Sequence, residues 1–411
     1  MNTDDAFLKI NRRRLLGLAT GAGLVSLLPR QVLPGGMDVP GSAIAGQSAL
    51  RGQVRYPEKT GMILITDRPP QLETPLHFFR QDLTPNSAYF VRWHLSGYPI
   101  EVDARTFRLR LDGLVDKPHL FTLEELVKDF DPVTLVAMNQ CSGNARSLFS
   151  PQSPGSQWQF GATCNAQWTG MRLKDLLARV GVKSGAVEVA FSGLDEWPMR
   201  GLPKVVKSLK FDHAADGDVM IAYAMNGEPL PMLNSLPLRL VVPGWYAMYW
   251  IKSLAHIEVL KKPLSNIWMD EAYPIPDNPE INEEPGNLSK KTVPINRFAT
   301  HSIFVRPEPE EQLLLNHPVI LEGLANDGGD DIARVEVSMV NGRTWVDARL
   351  DPEIGRFSWR HWRYVWIPLE KGRYAFKVRA TNRAGEGQPV TQWNRGGFAR
   401  RMIQSTSGMV V

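Results

Sequence analysis

The order of apolar and polar residues along the chain predicts most of its secondary structure. Leucine and valine recur at helical spacing over residues 169–181, and Gly181 follows as a stop signal, so we expect an amphipathic helix there. A capping box at 122–125 opens a shorter helix. Apolar runs at 187–191 and 238–243 predict strands. Helices and strands that do not alternate regularly indicate an α+β domain.

The pattern becomes all-β in the last quarter of the chain. Residues 333–340 and 374–380 alternate between apolar and polar, and Asn341-Gly342 follows the first of these runs, which is a strong hairpin signal. About seven such strands within about 110 residues are typical of an immunoglobulin-like (Ig-like) sandwich. The proline-rich segment 273–294 predicts a semi-rigid linker ahead of it.

The N-terminal segment is typical of a targeting signal. Arginines at positions 12–14 precede a short, weakly apolar stretch, and Ala43-Ile44-Ala45 offers a cleavage site. This pattern predicts a twin-arginine signal peptide at 1–45 and export to the periplasm. An ordinary secretion signal and a basic disordered tail are the alternatives. We therefore expect the α+β domain at 46–285 and the all-β sandwich at 286–411.

Composition excludes several classes of function. The chain has 411 residues and a formal net charge of only +4, and it has no basic run interleaved with aromatic residues, so we expect no nucleic-acid binding. Its one long apolar stretch lies in the signal segment, so we expect no stable membrane insertion. The eight histidines are widely spaced, and CxxC, CxxCH, G-x-S-x-G and phosphate-loop motifs are missing. An enzyme with this sequence would use a cofactor that needs few protein ligands.

Cys141 is one of two cysteines, and it is the strongest candidate for a reactive or metal-binding residue. Exported proteins often pair their cysteines, so a Cys141–Cys164 disulfide is one interpretation. A buried inert thiol is a second, and a thiolate ligand to a soft or high-valent metal is a third. Gly143 allows close backbone approach, and Arg146 adds the positive charge that favours a thiolate. The residues alone leave the three interpretations open.

Two basic pairs are candidates for binding an anion. Arg92 and His94 would point to the same side of an extended segment and could bind an oxyanion or a phosphate. A solvated arginine and a core histidine are the alternative. Arg239 and Lys252 lie within apolar, strand-like runs, where a buried positive charge needs a partner. That partner could be an anionic ligand or an acidic side chain.

Five motifs taken together resemble the sulfite oxidase family of molybdenum enzymes. The resemblance covers residues from 85 to 405 and rests on these stretches: FVRWH at 90–94, CSGNARS at 141–147, AYAMNGEPLP at 222–231, PLRLVVPG at 237–244 and QWNRGG at 392–397. It implies a molybdopterin-binding α+β domain followed by an Ig-like dimerisation domain.

The resemblance also implies a role for individual residues. Cys141 would ligate molybdenum beside the dithiolene of one molybdopterin, and Cys164 would be a bystander. Asn234 stands where vertebrate members have a histidine, and its amide can still donate to the cofactor's phosphate. The residues expected to bind the cofactor are Phe90, Val91, Arg92, Trp93, His94, Cys141, Asp195, Asn234, Arg239, Trp250, Ile251 and Lys252.

A catalytic group follows from the same resemblance. The family's anion pocket maps onto Arg92, Arg146, Arg395 and Trp158, and His94 is expected beside it. Tyr273 is the active-site tyrosine in preference to Tyr223, and it could donate a hydrogen bond to a substrate oxygen as charge develops there. Arg395 would reach this pocket from the C-terminal domain.

These assignments imply a periplasmic sulfite dehydrogenase that forms a homodimer. It would oxidise sulfite to sulfate and pass electrons to a separate c-type cytochrome, because no haem motif is present in this chain. A sulfane dehydrogenase subunit acting on carrier-bound sulfur is the alternative within the family. A nitrate reductase would carry fused haem and flavin domains and would not be exported. A secreted, non-catalytic binding protein is the alternative from another class.

Overall fold

The computed structural model describes residues 53–54, 56, 58–197 and 203–411. The predicted signal at 1–45 lies outside the described residues, so export stays a prediction. Within the described ranges, every helix is too short or too polar to span a bilayer.

The N-terminal part of the molecule is built from three sheets and a small hairpin. A four-stranded sheet contains β1 (Gln53–Val54), β2 (Met62–Thr66), β3 (Gln71–Glu73) and β4 (Val91–Arg92). A five-stranded sheet has the order β10 (Val206–Lys210), β9 (Glu188–Gly193), β14 (Leu254–Leu260), β5 (Arg108–Gly113) and β6 (His119–Thr122). The third sheet contains β12 (Glu228–Pro229), β11 (Met220–Met225), β8 (Thr163–Arg172) and β7 (Val133–Gln140), with β13 (Arg239–Val241) paired to β11.

Four short α-helices cover these sheets: α1 (Leu123–Lys128), α2 (Leu173–Val180), α3 (Phe211–Ala214) and α4 (Ile267–Asp270). The capping box of α1 is formed as predicted, since Thr122 and Glu125 each accept from the other's backbone N–H. The predicted helix at 169–181 begins only at Leu173. Residues before it extend β8, because they pair with β11 on one side and β7 on the other, and pairing within a sheet overrides the local helical pattern.

The proline-rich segment contains regular structure that its composition did not predict. Strands β15 (Pro274–Pro276) and β16 (Thr292–Pro294) pair in an antiparallel hairpin. The loop between them carries Glu283, whose side chain is almost fully buried. The segment is therefore packed against the rest of the molecule, whereas we had expected a semi-rigid spacer. The expected domain boundary at 285 lies within this loop.

The C-terminal part is a two-sheet sandwich, as the alternating pattern predicted. One sheet has the order β17 (His301–Arg306), β19 (Val319–Asn326), β23 (Arg360–Trp366) and β22 (Arg349–Leu350). The other has the order β18 (Glu311–Leu313), β25 (Gln404–Val410), β24 (Gly372–Asn382), β20 (Ile332–Ser338) and β21 (Val346–Asp347). The Asn341-Gly342 turn joins β20 and β21 with positive φ at both residues, which an Asn-Gly pair adopts readily.

The two parts share one continuous apolar core. Ile303, Leu324 and Trp359 of the sandwich belong to the same buried cluster as the strands of the N-terminal part. The sandwich also has its own core around Leu321, Trp362 and Phe376, and a small cluster including Trp93 lies under the first sheet. This shared core fixes the 392–401 segment against the loop that follows β7.

Candidate active site

A polar cleft opens where the ends of β4, β7 and β13 meet. The empty space in the cleft, including the part that is open to solvent, is about 440 Å³. Its walls are formed by Phe90, Arg92, His94, Asn139, Cys141, Ser142, Leu233, Asn234, Arg239, Ala247, Met248, Lys252 and Tyr273. Eight of these were predicted from the sequence, and residues distant in the chain are brought together here.

Cys141 is the first residue after β7 and lies half-buried in the cleft wall. Its amide donates to the carbonyl of Ala162 at 2.9 Å, and its own carbonyl accepts from the amide of Asn144 at 3.0 Å. Both cysteines are free thiols. Cys164 lies on β8, fully buried, and burial raises the pKa of its thiol to about 11. The structure therefore shows an accessible thiol at Cys141 and an enclosed one at Cys164, without the disulfide.

Arg92 and His94 both face the cleft, as the alternation along an extended segment predicted. The side chain of Tyr273 comes from the residue before β15, and its hydroxyl contacts Nε2 of His94. Burial, with the nearby charges of Arg92, Lys252 and Lys207, holds the pKa of His94 well below its usual value. Burial also raises the pKa of Tyr273. The imidazole is therefore neutral and the phenol protonated, so the pair carries one N–H and one O–H, and only one of these two protons can lie between Nε2 and the hydroxyl oxygen.

Arg239 forms the buried floor of the cleft at the start of β13. Its guanidinium lies over Trp168 and Trp250, with the central carbon 5.1 Å and 5.6 Å from the two rings. It donates to the carbonyl of Asn234 at 3.1 Å and to Oδ1 of Asn139 at 3.3 Å. None of these partners carries a negative charge.

Lys252 adds a second cation beside Arg239. Its ammonium lies 4.9 Å from the ring of Trp93. Burial, with the charge of Arg239, lowers the pKa of Lys252 to about 7. Asp195 is buried nearby, and burial raises the pKa of its carboxyl although Lys252 opposes the shift. Two neighbouring cations, of which Arg239 has only neutral hydrogen-bond partners, prepare the cleft for an anionic ligand.

Unpartnered donors show that the cleft fits a molybdopterin. Arg239 Nε and Asn139 Nδ2 are buried without a hydrogen-bond partner, and a bound phosphate or pterin offers the acceptors they need. Among the described residues no group of three or more His, Cys, Asp or Glu side chains is arranged to hold a metal ion. A metal bound at Cys141 would therefore take further ligands from its cofactor, as a dithiolene provides.

Several predicted cofactor residues lie behind the cleft rather than in its wall. Val91, Trp93, Trp250 and Ile251 are buried in the core. Trp93 and Trp250 support Lys252 and Arg239 through their ring faces. Trp158, predicted for the anion pocket, is fully buried. These side chains shape the cleft through packing.

Arg146 and Arg395 do not line the cleft in this structure. Arg146 is buried and donates to the carbonyls of Gly396, Gly397 and Ser156. Arg395 instead forms an ion pair with Glu283, at 2.7 Å between Nη2 and Oε2. The expectation that Arg395 reaches the anion pocket was therefore wrong for this arrangement, because the buried carboxylate of Glu283 holds its guanidinium.

The cleft also includes residues that sequence reasoning missed. Asn139 and Ser142 flank Cys141, and their position beside the thiol was an available signal. Leu233 precedes Asn234 in a 3-10 helix (Met232–Asn234), and Ala247 and Met248 lie in another (Ala247–Tyr249). No periodic pattern marks these short helices.

Comparison with known proteins agrees with this geometry. The model of the oxidoreductase molybdopterin binding domain matches residues 95–268, and that of the Mo-co oxidoreductase dimerisation domain matches 292–401. Sulfite oxidase of Gallus gallus is 30% identical over 330 residues, covering 77% of this chain and 70% of the relative. Nitrate reductase [NADH] of Spinacia oleracea is 32% identical over 363 residues, covering 82% of this chain but only 38% of the relative.

A solved structure has the same fold over most of the chain. The sulfane dehydrogenase SoxCD of Paracoccus pantotrophus aligns with a TM-score of 0.72 at 24% sequence identity, covering 89% of this chain and 92% of that one. The family models, the relatives and the cleft around Cys141 identify the same cofactor. The chain belongs to the sulfite oxidase family of molybdenum oxidoreductases and binds a molybdenum-molybdopterin cofactor.

Proposed function

We propose that this protein is a sulfite dehydrogenase that oxidises sulfite to sulfate. The observation that carries the proposal is the grouping of Arg92, His94 and Tyr273 with Cys141 in the wall of one cleft. In the net reaction sulfite gains one oxygen atom from water and releases two electrons and two protons. The bound molybdenum cofactor supplies oxygen-atom transfer and accepts the two electrons.

The side chains of the cleft have separate tasks in this reaction. Arg92 attracts sulfite and holds its oxygens by charge-assisted hydrogen bonds. Neutral His94 can donate through Nε2 in one tautomer and accept there in the other. When His94 donates to the Tyr273 oxygen, the phenol proton is free to bond a substrate oxygen. The pair therefore delivers a hydrogen bond where negative charge grows.

Cys141 and the buried cations hold the cofactor for this chemistry. The thiol of Cys141 is the protein ligand to the metal. Arg239, Lys252 and Asn234 are positioned for the pterin and its phosphate. Trp168 and Trp250 keep the Arg239 guanidinium in place through contacts of 5.1 Å and 5.6 Å to its central carbon.

Steady-state turnover tests the substrate assignment. Molybdenum-loaded protein should reduce ferricyanide or cytochrome c when free sulfite is added, and Arg92→Gln should raise KM for sulfite at least about tenfold, as expected for a lost charge-assisted bond. Nitrate with a reduced dye and thiosulfate serve as parallel substrates. Turnover on nitrate alone would assign a nitrate reductase, and the sulfite proposal would be wrong.

The same test can also point to one of two other functions. A molybdenum-loaded protein that does not oxidise free sulfite but oxidises carrier-bound sulfur would be a sulfane dehydrogenase. The structurally similar SoxCD of Paracoccus pantotrophus is named as such an enzyme. A protein purified without molybdenum under conditions that load related enzymes would be a non-catalytic binding protein.

We further propose that the protein acts in the periplasm as a homodimer and passes electrons to a c-type cytochrome. The paired arginines at 12–14 support export, and fractionation of cells expressing Arg12→Lys/Arg13→Lys should find the protein retained in the cytoplasm. The dimerisation-domain match over 292–401 supports self-association. A row of exposed apolar side chains on the outer face of β19 and β23, including Ile320 and Val365, offers a contact surface.

A further inference from the structure

Lys59 is a buried lysine beneath the cleft that no sequence motif marked. It lies between β1 and β2 with only 6% of its surface exposed. Its Nζ donates to the carbonyls of Asn86 at 2.7 Å and Tyr89 at 3.0 Å, and to Oδ1 of Asn234. An ammonium has three protons to donate, so these three oxygens satisfy all of them.

Among the described residues, no carboxylate accepts a hydrogen bond from Lys59, and the charge of Glu58 opposes the effect of burial on its pKa only in part. The three acceptors of Lys59 are all neutral oxygens. Cys164 lies nearby, but its thiol stays protonated because burial raises its pKa to about 11. Burial, with the charge of Arg239 adding to it, lowers the pKa of Lys59 to about 7. A buried cation beside another cation is unfavourable unless an anion lies close.

The contact with Asn234 connects this charge to the cleft. Asn234 lines the cleft, and its Nδ2 donates one proton to the carbonyl of Phe90 at 3.0 Å. Since Lys59 occupies Oδ1, the amide cannot rotate its oxygen towards the ligand. Its second N–H is left for an acceptor in the cleft. Lys59 thereby fixes which end of the amide a bound phosphate would meet.

We propose that Lys59 is a positioning residue for the cofactor, which orients the Asn234 amide and supplies positive charge behind the phosphate-binding end of the cleft. Lys59 does not contact the ligand itself. Its effect passes through Asn234 and through the electrostatic potential that it shares with Arg239. The inference rests on molybdopterin binding and does not depend on which substrate is oxidised.

Cofactor release measures this role without using activity. The purified holoenzyme would be diluted and passed repeatedly over a desalting column, with protein-bound molybdenum and the fluorescence of the oxidised pterin followed over time. Lys59→Met should release both at least about tenfold faster, the effect typical of residues that orient a ligand-binding side chain. Lys207→Met is the matched control, because Lys207 is also a buried lysine but lies outside the cleft wall. Its release rate should stay within threefold of the wild type.

A second variant keeps the inference testable if Lys59→Met does not fold. Lys59→Gln removes the positive charge but keeps a polar side chain in the same place, so the holoenzyme should again release cofactor at least about tenfold faster. Release within threefold of the wild type in whichever of the two variants folds would overturn the proposal. A wild type that never holds molybdenum would instead defeat the family's cofactor assignment.

Discussion

At the scale of single residues, the two cysteines show how position determines chemistry. Both are free thiols on or beside the paired strands β7 and β8. Cys141 follows the last residue of β7 and faces the cleft, whereas Cys164 is fully buried within β8. Thr74 Oγ1 lies 3.2 Å from the Cys164 sulfur. A thiolate needs access and positive surroundings to act as a ligand. Only Cys141 meets both conditions.

Cys141→Ser should abolish turnover and lower molybdenum content while leaving the fold intact, because a serine hydroxyl stays protonated and is a poor ligand. Molybdenum analysis and circular dichroism would measure the two effects. Cys164→Ala is the control and should keep both metal and activity. A fully active Cys141→Ser protein would contradict the assignment of the metal ligand.

Thiol labelling gives an independent test of the same contrast. In cofactor-free protein at pH 8, a disulfide reagent should modify Cys141 quickly, since it is half-buried in the cleft wall. Cys164 should react only after unfolding, because it is fully buried and its pKa is raised to about 11. If both thiols of the native protein reacted quickly with the reagent, Cys164 would not be enclosed in the way described here.

Tyr273→Phe should lower kcat for sulfite by at least about tenfold, because the phenol can no longer donate to the developing charge. Cofactor content should stay at the wild-type level, since the ring still packs 5.3 Å from Phe398. Stopped-flow reduction of the enzyme would separate this step from later electron transfer. An unchanged reduction rate would remove Tyr273 from the catalytic group.

At the scale of elements, close strand contacts set the position of Lys252. Gly193 ends β9, and a Cβ there would lie 2.2 Å from the carbonyl oxygen of Lys252 and 2.8 Å from Oδ1 of Asp195. Only glycine lets these backbones approach so closely. The backbone of the lysine that faces the cleft is therefore placed by β9, which pairs with β14 just beyond Lys252.

Gly193→Ala should destabilise the protein by about 1–3 kcal/mol, as overpacking in a filled core does, and should also weaken cofactor retention. Urea unfolding of the cofactor-free protein would give the stability change. Gly387→Ala is the control, because its nearest neighbours lie at an ordinary 3.7 Å and 3.9 Å. Equal stability of the two variants would show that the structure around Gly193 accommodates a methyl group without cost.

How far the sequence predicts these elements depends on whether the signal is local. The residues from Phe90 to His94 and the Cys141 loop are contiguous motifs, and Phe90, Arg92, His94 and Cys141 line the cleft as expected. Thr169 to Arg172 was predicted as part of a helix but forms a strand, because its neighbours β7 and β11 come from elsewhere in the chain. Arg395 was misplaced because sequence alone does not reveal the buried Glu283 that holds it.

The role of Lys59 could not be predicted from the sequence for the same reason, because its partners are distant in the chain. Its three acceptors lie 27 to 175 residues away along the chain, so no spacing pattern relates them. A buried lysine without an acidic partner becomes visible only when the contacts of its ammonium are known.

At the scale of the whole molecule, two buried lysines at the cleft link stability to the cofactor. Burial lowers the pKa of Lys59 and Lys252 to about 7. The unfolded chain therefore binds more protons than the folded cofactor-free protein between pH 7 and the usual lysine pKa. The free energy of unfolding of the cofactor-free protein therefore rises with pH over this range.

The cofactor-free protein should gain at least about 1.4 kcal/mol of stability per pH unit between pH 7 and 9, which corresponds to one proton. The holoenzyme should show a flatter profile, because the anionic cofactor keeps the lysines charged. Denaturant unfolding at several pH values would compare the two forms. A cofactor-free protein whose stability falls over this range would contradict the charge arrangement.

The self-association proposed above would use the sandwich surface. Ile320 and Val365 pair across β19 and β23 with 42% and 60% of their surfaces exposed, and Ile367 and Leu369 continue the row. Val365→Asp should shift the protein from dimer to monomer in analytical ultracentrifugation, because a charge is unfavourable within an apolar interface. Leu120→Asp, on the exposed side of β6, is the control and should remain dimeric. Dimers of the Val365→Asp variant would place the interface elsewhere.

A single turnover of the loaded enzyme would show whether sulfite is oxidised at a cofactor held by Cys141. Fully oxidised, molybdenum-loaded protein is mixed with excess sulfite without oxygen or acceptor, and the sulfate formed is counted against bound molybdenum. One sulfate per molybdenum in the wild type, with none from Cys141→Ser, is the expected result. No sulfate from loaded wild-type protein, or an equal yield from Cys141→Ser, would contradict sulfite oxidation at a cofactor held by Cys141.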